Sequence, residues 1–460
     1  MNFQDTIAAI STPIGYSGIG IVRISGKKSF PIAKKILYPV KNKVDWASSF
    51  KMYYGWIIDP ENKQRVDEVL LSLMRAPRTY TRENIVEINC HGGPLPLKKT
   101  LELVLKYGAR LAEPGEFTKR AFLKGRIDLL QAESVLNVIQ AKTEKALKIA
   151  LNQLKGGLSR KIYSLKEKIV NFLSLIEAEL NFPEEGISFL TEKEKKEKFK
   201  EILKEIISLL KMGKEGRIYQ GGVKAVIVGK PNVGKSTLLN TLLQEERAIV
   251  TPIPGTTRDT IEEMVNIDGF PLRIIDTAGL RKVRSRIEIE GVKRTHLKIK
   301  EADLILLMIE RSSPLNQEDI AILKKVKREK TLLIINKIDL PQRLEKKKVE
   351  YFFPEKKIVE ISATREINIE KLKQKIAEFV NKEIVSSHLD LIAISLREEQ
   401  ILEKVKKNVD RAFKSLKEEL PLELVAFDLR EGVRRIGEIT GEVSTEDILG
   451  QIFSQFCIGK

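Results

Sequence analysis

The order of apolar and polar positions divides the chain into three kinds of segment. Up to about residue 110, short β-rich runs alternate with glycine and proline, as at residues 20–24, 68–73 and 85–89, and one helical pattern covers residues 95–107. Short apolar runs bounded by turn residues are typical of strands. This part of the chain therefore predicts a small α+β domain.

The second kind of segment is helical. From residue 116 to residue 212 the composition shifts to Leu, Lys, Glu and Ala, with apolar residues three and four apart and breaks at Gly156-Gly157 and Phe182-Pro183. The same spacing returns at residues 398–420 and 423–456. This periodicity predicts several long amphipathic helices.

The third kind of segment lies between these helical stretches. From residue 223 to about residue 380, apolar strands alternate with amphipathic helices, as in a parallel doubly wound sheet. Helices on both sides of a self-contained α/β segment indicate that it is inserted into one helical domain.

Composition limits the class of protein. With 460 residues the chain is too long for one core, and its 81 basic and 63 acidic residues leave a net charge of +18. That charge fits a polyanionic partner such as RNA, but it also fits a lysine-rich proteome, and the mixed charges of residues 191–200 are typical of a solvated helix face.

Cysteine and histidine are scarce. The two cysteines, Cys90 and Cys457, exclude a disulfide framework, and three histidines make a metal cluster a poor expectation. The longest apolar stretches have strand length, and no signal peptide is visible. We expect a protein of the reducing cytoplasm with no membrane segment.

The strongest chemical signal follows a predicted strand at residues 223–228. Residues 229–236 read GKPNVGKS, and residues 237–243 can continue as a helix. In this context glycine lets backbone N–H groups surround the α- and β-phosphates, Lys235 reaches the β- and γ-phosphates, and Ser236 offers its hydroxyl to Mg²⁺. The pattern predicts a nucleoside triphosphate site.

Three partner motifs follow in order. Predicted strands lead into DTAG at residues 276–279, NKID at 336–339 and SAT at 362–364. Asp276 can hold the Mg²⁺ shell, and the Asp339 carboxylate can accept hydrogen bonds from N1 and N2 of guanine, which adenine does not present. The four motifs together predict a GTPase.

The predicted GTP contacts come from these motifs and from the segment at residues 251–257. They are Asn232, Val233, Gly234, Lys235, Ser236, Thr237, Thr251, Pro252, Ile253, Pro254, Gly255, Thr256, Thr257, Asp276, Thr277, Ala278, Gly279, Asn336, Lys337, Asp339, Ser362, Ala363 and Thr364.

The sequence raises a question about hydrolysis. Small regulatory GTPases place a glutamine after DxxG to orient the attacking water, but here that position holds Leu280, which has no hydrogen-bonding side chain. Another residue must act, and the candidate segments are 251–259 and 281–290. Thr256 and Thr257 suit a switch in which Thr257 completes Mg²⁺ coordination.

Both ends of the chain carry further motifs. With GIGIVRISG at residues 18–26, HGGP at 91–94, EPGEFTKRAF at 113–122 and FCIGK at 456–460, the chain resembles the MnmE (TrmE) family of tRNA-modifying GTPases nearly end to end. The GTPase motifs alone are shared with ribosome-assembly GTPases, so the two ends identify the family.

The resemblance implies a multidomain α/β fold. Its domains are an N-terminal α+β tetrahydrofolate-binding and dimerisation domain (1–115), an all-α helical domain (116–215 and 383–460, ending in the CxGK motif) and an inserted Ras-like P-loop GTPase domain (216–382).

The resemblance also implies a function. Members form homodimers and pair with the flavoprotein MnmG in a heterotetramer. Together they install a carboxymethylaminomethyl or aminomethyl group on the wobble uridine of certain tRNAs, using a 5-formyl- or methylene-tetrahydrofolate donor. Their GTP hydrolysis requires Mg²⁺ and is activated by K⁺, which replaces an arginine finger and brings two G domains together.

Residues that match the family's hydrolytic machinery follow from the motifs. Asn232, Thr251, Ile253 and Thr256 match the K⁺ ligands, and Glu288 matches the water-positioning carboxylate. Hard oxygen ligands suit a monovalent cation beside the phosphates. The residues alone leave two other interpretations open: Asn232 as a turn stabiliser and Glu288 as a helix-surface carboxylate.

The matching folate positions are Arg23, Glu87, Arg126 and Lys460. Cations suit the carboxylates of a folate, and a carboxylate suits the donor edge of its pterin. Arg126 stands where the family usually has lysine, and Arg23 and Glu87 could equally be strand-surface charges.

Cys457 matches a cysteine that the family brings toward the folate site. It is either a nucleophile or proton carrier in the modification reaction or a small apolar filler at a helix end. Two other classes of function stay open at this point, a ribosome-assembly or RNA-chaperone GTPase switch and a self-assembling GTPase of the dynamin kind.

Overall fold

The computed structural model describes residues 5–40, 43–181, 189–246, 263–275, 302–384 and 392–460. They belong to two compact units. The first takes its residues from 1–136, 154–173 and 426–460, and the second takes its residues from 137–153 and 174–425.

The helices of the described chain are numbered in sequence order. They are α1 (Ser29–Ile36), α2 (Pro94–Lys106), α3 (Glu116–Leu123), α4 (Leu129–Gln140), α5 (Glu144–Leu154), α6 (Gly157–Asn181), α7 (Glu192–Gly221), α8 (Lys235–Glu246), α9 (Gln317–Lys325), α10 (Lys346–Glu350), α11 (Ile369–Phe379), α12 (Leu396–Lys417), α13 (Leu422–Thr440) and α14 (Glu446–Phe453).

A seven-stranded sheet forms the centre of the first unit. Its strands are β1 (Ile7–Ile10), β2 (Ser17–Ser25), β3 (Leu37–Pro39), β4 (Lys51–Ile58), β5 (Arg65–Met74), β6 (Ile85–Gly92) and β7 (Arg110–Leu111), in the spatial order β3-β4-β5-β6-β2-β1-β7. Neighbours are antiparallel except β1 and β7. Alternation along β2 buries Val22 and Ile24 on one face and leaves Arg23 on the other.

The face that carries Val22 packs against α1 and α2. Leu97 and Val104 of α2 belong to the same buried cluster as the strand residues. At Gly20 an added Cβ would collide with the Leu97 side chain, so this glycine permits the close approach of α2 to β2. Pro94 at the helix start has no N–H that needs a partner.

A buried ionic cluster lies at the start of α3. Arg120 is 1% exposed, and its guanidinium contacts Asp5 at 2.6 Å, Glu116 at 2.9 Å and Glu83 at 3.3 Å. Arg110 adds a 2.7 Å ion pair to Glu116. Burial alone would raise the pKa of Glu116, but hydrogen bonds from Arg110, a backbone N–H and Arg120 outweigh it and lower that pKa.

The second unit is built on a six-stranded sheet. Its strands are β8 (Val223–Val228), β9 (Glu263–Ile267), β10 (Phe270–Ile274), β11 (Leu304–Glu310), β12 (Thr331–Asn336) and β13 (Ile358–Glu360), in the order β13-β12-β11-β8-β10-β9. All neighbours are parallel except the β9–β10 hairpin. Continuous apolar runs such as LILLMI in β11 are buried on both faces, as parallel sheets require.

Helices α7 and α12 pack together in the same unit. The Phe199 and Phe413 rings stack with centroids 5.1 Å apart, and each helix begins with a capping box, Thr191 with Glu194 and Ser395 with Glu398. The caps satisfy backbone N–H groups that would otherwise lack partners at the helix starts.

The structure confirms the predicted fold class, a mixed α/β protein of several parts. The strand predicted at residues 223–228 is β8, and the helix predicted at 95–107 is α2. The helical pattern at 423–456 is two helices rather than one, because the chain turns at Gly441, whose φ of 87° favours glycine. Among the described residues no helix is long and apolar enough to cross a membrane.

Loss of the buried guanidinium should destabilise the first unit. Arg120→Met leaves three carboxylates without their shared cation, so we expect a loss of about 3–5 kcal/mol at pH 7. Both tryptophans, Trp46 and Trp56, lie in this unit, so urea unfolding followed by tryptophan fluorescence measures it. The matched control is Lys124→Met, which removes a more exposed cation from Glu83 and should cost less than about 1 kcal/mol.

The same cluster fixes the direction of the pH dependence. The pKa values of Asp5 and Glu116 are lowered on folding, so their stabilisation is present above the unfolded values near pH 4 and is lost as pH falls through the folded values. An equal free energy of unfolding at pH 7 in Arg120→Met and the wild type would contradict the stabilising role of the Arg120 guanidinium.

Candidate functional site

The phosphate loop connects β8 to α8 at the carboxyl end of the second sheet. The strand order reverses between β8 and β11, which is where open α/β sheets form their ligand crevice. Asn232 adopts a left-handed conformation with φ of 62°, and Gly234 has φ of 102°. A Cβ at Gly234 would collide with the side-chain amide of Asn336, so glycine is required here for two reasons.

Lys235 begins α8, directly after the loop. Its Nζ donates to the backbone carbonyls of Gly229 at 2.9 Å and Lys230 at 2.8 Å, and burial lowers its pKa. Ser236 and Thr237 follow in the first helical turn. A helix N-terminus with a nearby ammonium group is a favourable environment for phosphate.

The base loop follows β12, and Asn336 connects it to its neighbours. The Asn336 amide donates to the Val233 carbonyl at 2.9 Å, and its side-chain oxygen accepts from the Ala363 backbone N–H at 3.0 Å. One buried side chain thus joins the phosphate loop, the NKID loop and the SAT loop. Thr241 of α8 adds a 3.1 Å bond to the Ala363 carbonyl.

Asp339 lies on this base loop. A hydrogen bond from Ser362 lowers its pKa, and the positive charges of Arg365 and Lys337 act in the same direction. Asp339 is therefore an ionised acceptor at neutral pH, as guanine recognition requires. Thr364 follows Ala363 in the turn after β13.

The structure brings together the predicted contacts at residues 232–237, 336–339 and 362–364 at one edge of the sheet. The remaining predictions lie outside the described residues. They are Thr251, Pro252, Ile253, Pro254, Gly255, Thr256, Thr257, Asp276, Thr277, Ala278, Gly279 and Glu288.

A second group of candidate residues lies in the first unit. Arg23 of β2 and Glu87 of β6 are register partners, and Nε and Nη2 of Arg23 both lie 2.7 Å from Oε1 of Glu87. Arg23 also donates to the Gly459 carbonyl at 3.2 Å. Burial and the charge of Arg23 lower the pKa of Lys460, while Glu87 and Cys457 act in the opposite direction. Arg23, Glu87, Cys457 and Lys460 thus form one neighbourhood.

The two cysteines differ in environment. Cys457 is exposed, one turn after α14. Cys90 is buried in β6 beside Thr100, and desolvation raises the pKa of its thiol to about 12. Cys90 therefore packs in the core, whereas Cys457 is accessible to reagents.

Arg126 is placed differently from the other predicted folate residues. Its guanidinium lies 4.7 Å from the Tyr80 ring centroid and 3.4 Å from the Tyr80 carbonyl. It also lines a cavity of about 480 Å³ together with Asp128, Tyr163 and Glu442. Among the described residues, no hydrogen bond or ion pair joins Arg126 to the pair of Arg23 and Glu87.

Tyr80 lies near both Arg126 and Arg23, and the sequence did not reveal it. Burial raises its pKa, while a hydrogen bond with Thr118 and the charges of Arg126 and Arg23 lower it. Thr241 and Arg365 were also missed. Arg365 could have been found from its place directly after SAT, but Tyr80 carries no sequence signal.

Family models match almost the whole chain. "GTP-binding protein TrmE N-terminus" matches residues 6–126, and "MnmE helical domain" matches residues 129–457.

Curated relatives match over their full length. A "tRNA modification GTPase MnmE" of Alkaliphilus oremlandii is 46% identical over 461 residues, covering 100% of both chains. The protein of the same name from Clostridioides difficile is also 46% identical over 461 residues, again with 100% of both chains covered.

A solved structure of an Aquifex aeolicus Era variant bound to GDP.AlF4- is 29% identical. It matches with a TM-score of 0.27 and covers 40% of this chain and 66% of that chain. The full-length relatives and the two family models agree with one another. The chain belongs to the MnmE family of tRNA modification GTPases.

Proposed function

We propose that this GTPase works with the flavoprotein MnmG in forming 5-carboxymethylaminomethyluridine, or its aminomethyl counterpart, at the wobble position of tRNA. In this scheme K⁺-dependent pairing of two G domains drives the cycle, and a tetrahydrofolate derivative supplies the one-carbon unit. The supporting observation is that the chain carries two chemically distinct groups of residues, a phosphate-and-base edge joined by Asn336 and a neighbourhood of Arg23, Glu87, Cys457 and Lys460.

At the nucleotide, the residues have separate tasks. Lys235 neutralises charge on the β- and γ-phosphates, and Asp339 selects guanine. Ser236 and Thr257 would hold Mg²⁺, Asp276 would support its coordination shell, and Ser236 lies in the first turn of α8, as this role requires. Mg²⁺ supplies charge neutralisation between the phosphates.

The K⁺ cage would use Asn232, Thr251, Ile253 and Thr256. The left-handed φ of Asn232 fits its alternative role as a turn stabiliser, and its place in the phosphate loop fits the cage. Glu288 would orient the attacking water, because Leu280 cannot. These residues are proposed from the family motifs.

At the folate, charge complementarity assigns the roles. Arg23 and Lys460 suit the carboxylates, Glu87 suits the donor edge of the pterin, and Arg126, which lies against the Tyr80 ring, would contact another part of the ligand. Cys457 would act as nucleophile or proton carrier. Its exposure argues against the alternative role of a small apolar filler at a helix end.

Partners follow from the same proposal. The protein would form a homodimer, assemble with MnmG as a heterotetramer, bind tRNA through its basic surface and act in the cytoplasm. A ribosome-assembly switch would use the same G motifs but has no use for an ion pair beside an exposed thiol, so the Arg23–Glu87 pair favours the modification role.

Removing the proposed water-positioning carboxylate should separate binding from turnover. Glu288→Ala is expected to lower kcat for GTP by about 100-fold, because a positioned acid–base group contributes on that order, while the affinity for GTP stays within about 2-fold. Phosphate release and nucleotide titration measure the two quantities. A normal turnover rate would remove the role assigned to Glu288.

Exchange of the monovalent cation should test the Asn232 cage. We expect GTP hydrolysis in Na⁺ to be at least about 10-fold slower than in K⁺, because a smaller ion does not fit the same oxygens and the missing charge is not replaced. Asn232→Ala should abolish the difference between the two salts. Equal rates in both salts for the wild type would rule the cage out.

The thiol should matter for one reaction only. Cys457→Ser is expected to abolish wobble modification, measured by mass spectrometry of tRNA nucleosides, and to leave GTP hydrolysis within about 2-fold of normal because the thiol belongs to the other unit. Cys90→Ser is the matched control, since that thiol is buried. Intact modification in Cys457→Ser would show that the thiol has no chemical role.

A further inference from the structure

Glu310 is the last residue of β11, and it stands beside the base loop. In the parallel register Glu310 pairs with Asn336, and the backbone N–H of Arg311 donates to the Asn336 carbonyl at 2.8 Å. The two strands therefore deliver Glu310 and Asn336 to the same carboxyl edge, where ligands bind. None of the GTPase motifs includes Glu310.

The Glu310 carboxylate contacts both nucleotide-binding loops. Lys337 of the base loop donates to Oε2, and Lys230 of the phosphate loop lies 3.8 Å from Oε1. Ser313 donates at 2.8 Å and Ser312 at 3.4 Å. Burial alone would raise the pKa of Glu310, but Lys337, Ser313 and Lys230 outweigh it and lower that pKa, so the group is ionised at neutral pH.

Lys230 is held on its other side by a buried carboxylate. Its Nζ lies 3.1 Å from Oδ2 of Asp319, whose side chain is 4% exposed. Asp319 is fixed in turn by a capping box with Asn316 at the start of α9. Lys230 therefore cannot move away from Glu310 and Asp319 without leaving the buried Asp319 carboxylate unpaired.

Glu310, Lys230 and Lys337 together join two loops that bind opposite ends of the nucleotide. Removal of Glu310 would leave two neighbouring ammonium groups, Lys230 and Lys337, without the anion between them. Partly buried charges at these distances are poorly screened by salt. Repulsion would then favour separation of the two loops and oppose the neutral hydrogen bonds of Asn336.

We propose that Glu310 is a positioning residue for GTP binding, which sets the spacing between the phosphate loop and the base loop through Lys230 and Lys337. This inference rests on the proposed GTP binding. Glu310 acts through the two lysines, so its loss weakens binding of any nucleotide that needs both loops, whichever purine groups Asp339 reads.

The test compares guanosine and inosine diphosphates on the full-length protein. Inosine lacks the 2-amino group that Asp339 accepts from, so the ratio of the two dissociation constants reports base recognition alone. Glu310→Gln is expected to raise Kd for both nucleotides equally, by about 10-fold, with kcat at saturating GTP within about 2-fold of normal. Asp339→Ala should instead collapse the ratio between the two nucleotides.

Two further variants separate positioning from a general loss of stability. Glu310→Asp keeps the charge and should restore Kd to within about 3-fold of normal. Glu378→Gln, which removes the same charge from an exposed pair with Lys375 on α11, should change nothing. In a double-mutant cycle, adding Lys230→Met to Glu310→Gln should cost less than the sum of the two single changes.

The outcomes are distinguishable. An unchanged Kd in Glu310→Gln, a fall in kcat without a change in Kd, or a Glu310→Asp variant as weak as Glu310→Gln would each overturn the inference. Failure of the wild-type protein to bind GDP would overturn the proposed function instead.

Discussion

The nucleotide site depends on one constraint, that loops following different strands must be held at fixed spacing along a single sheet edge. A parallel sheet supplies the edge, because the carboxyl ends of β8, β11, β12 and β13 all point the same way. It does not supply the spacing. Asn336 contributes to it, because its amide nitrogen donates to the Val233 carbonyl and its amide oxygen accepts from the Ala363 N–H, so no polar atom of its buried side chain lacks a partner.

In the first unit, residues 459 and 460 lie beside a pair of strand residues that are far from them in the chain. The Arg23–Glu87 pair joins β2 to β6, but its neighbours Gly459 and Lys460 lie more than 430 positions after Arg23 in the chain. The segment is held by backbone bonds, including Phe117 N–H to the Lys460 carbonyl at 3.2 Å. Residues from distant parts of the chain thus share one neighbourhood because α3 and the last turn meet.

Much of the fold and the identity of the loops could be predicted from the sequence. Short apolar runs such as VKAVIV predict buried strands. The motif GKPNVGKS between a strand and a helix is specific to phosphate loops. Asp339 was predicted because guanine chemistry needs a carboxylate there. Its hydrogen bond from Ser362 was not, because partners 23 residues apart have no local signature.

Other features could not be predicted, for a physical reason. Tyr80, Glu310 and the Arg120 cluster owe their roles to distances that tertiary packing sets, and periodicity carries no information on which charges meet. Arg126 illustrates the limit, since the family resemblance grouped it with Arg23, and its contact with the Tyr80 ring is visible only in the structure.

The contact between Gly234 and the Asn336 amide has a consequence for how such a protein can vary. Gly234 leaves room for the side chain of Asn336, which joins the base loop to the phosphate loop. A methyl group added at Gly234 would therefore disturb guanine and phosphate recognition together. A substitution in the phosphate loop is therefore limited by the geometry of the base loop, and a substitution in the base loop is limited by the phosphate loop.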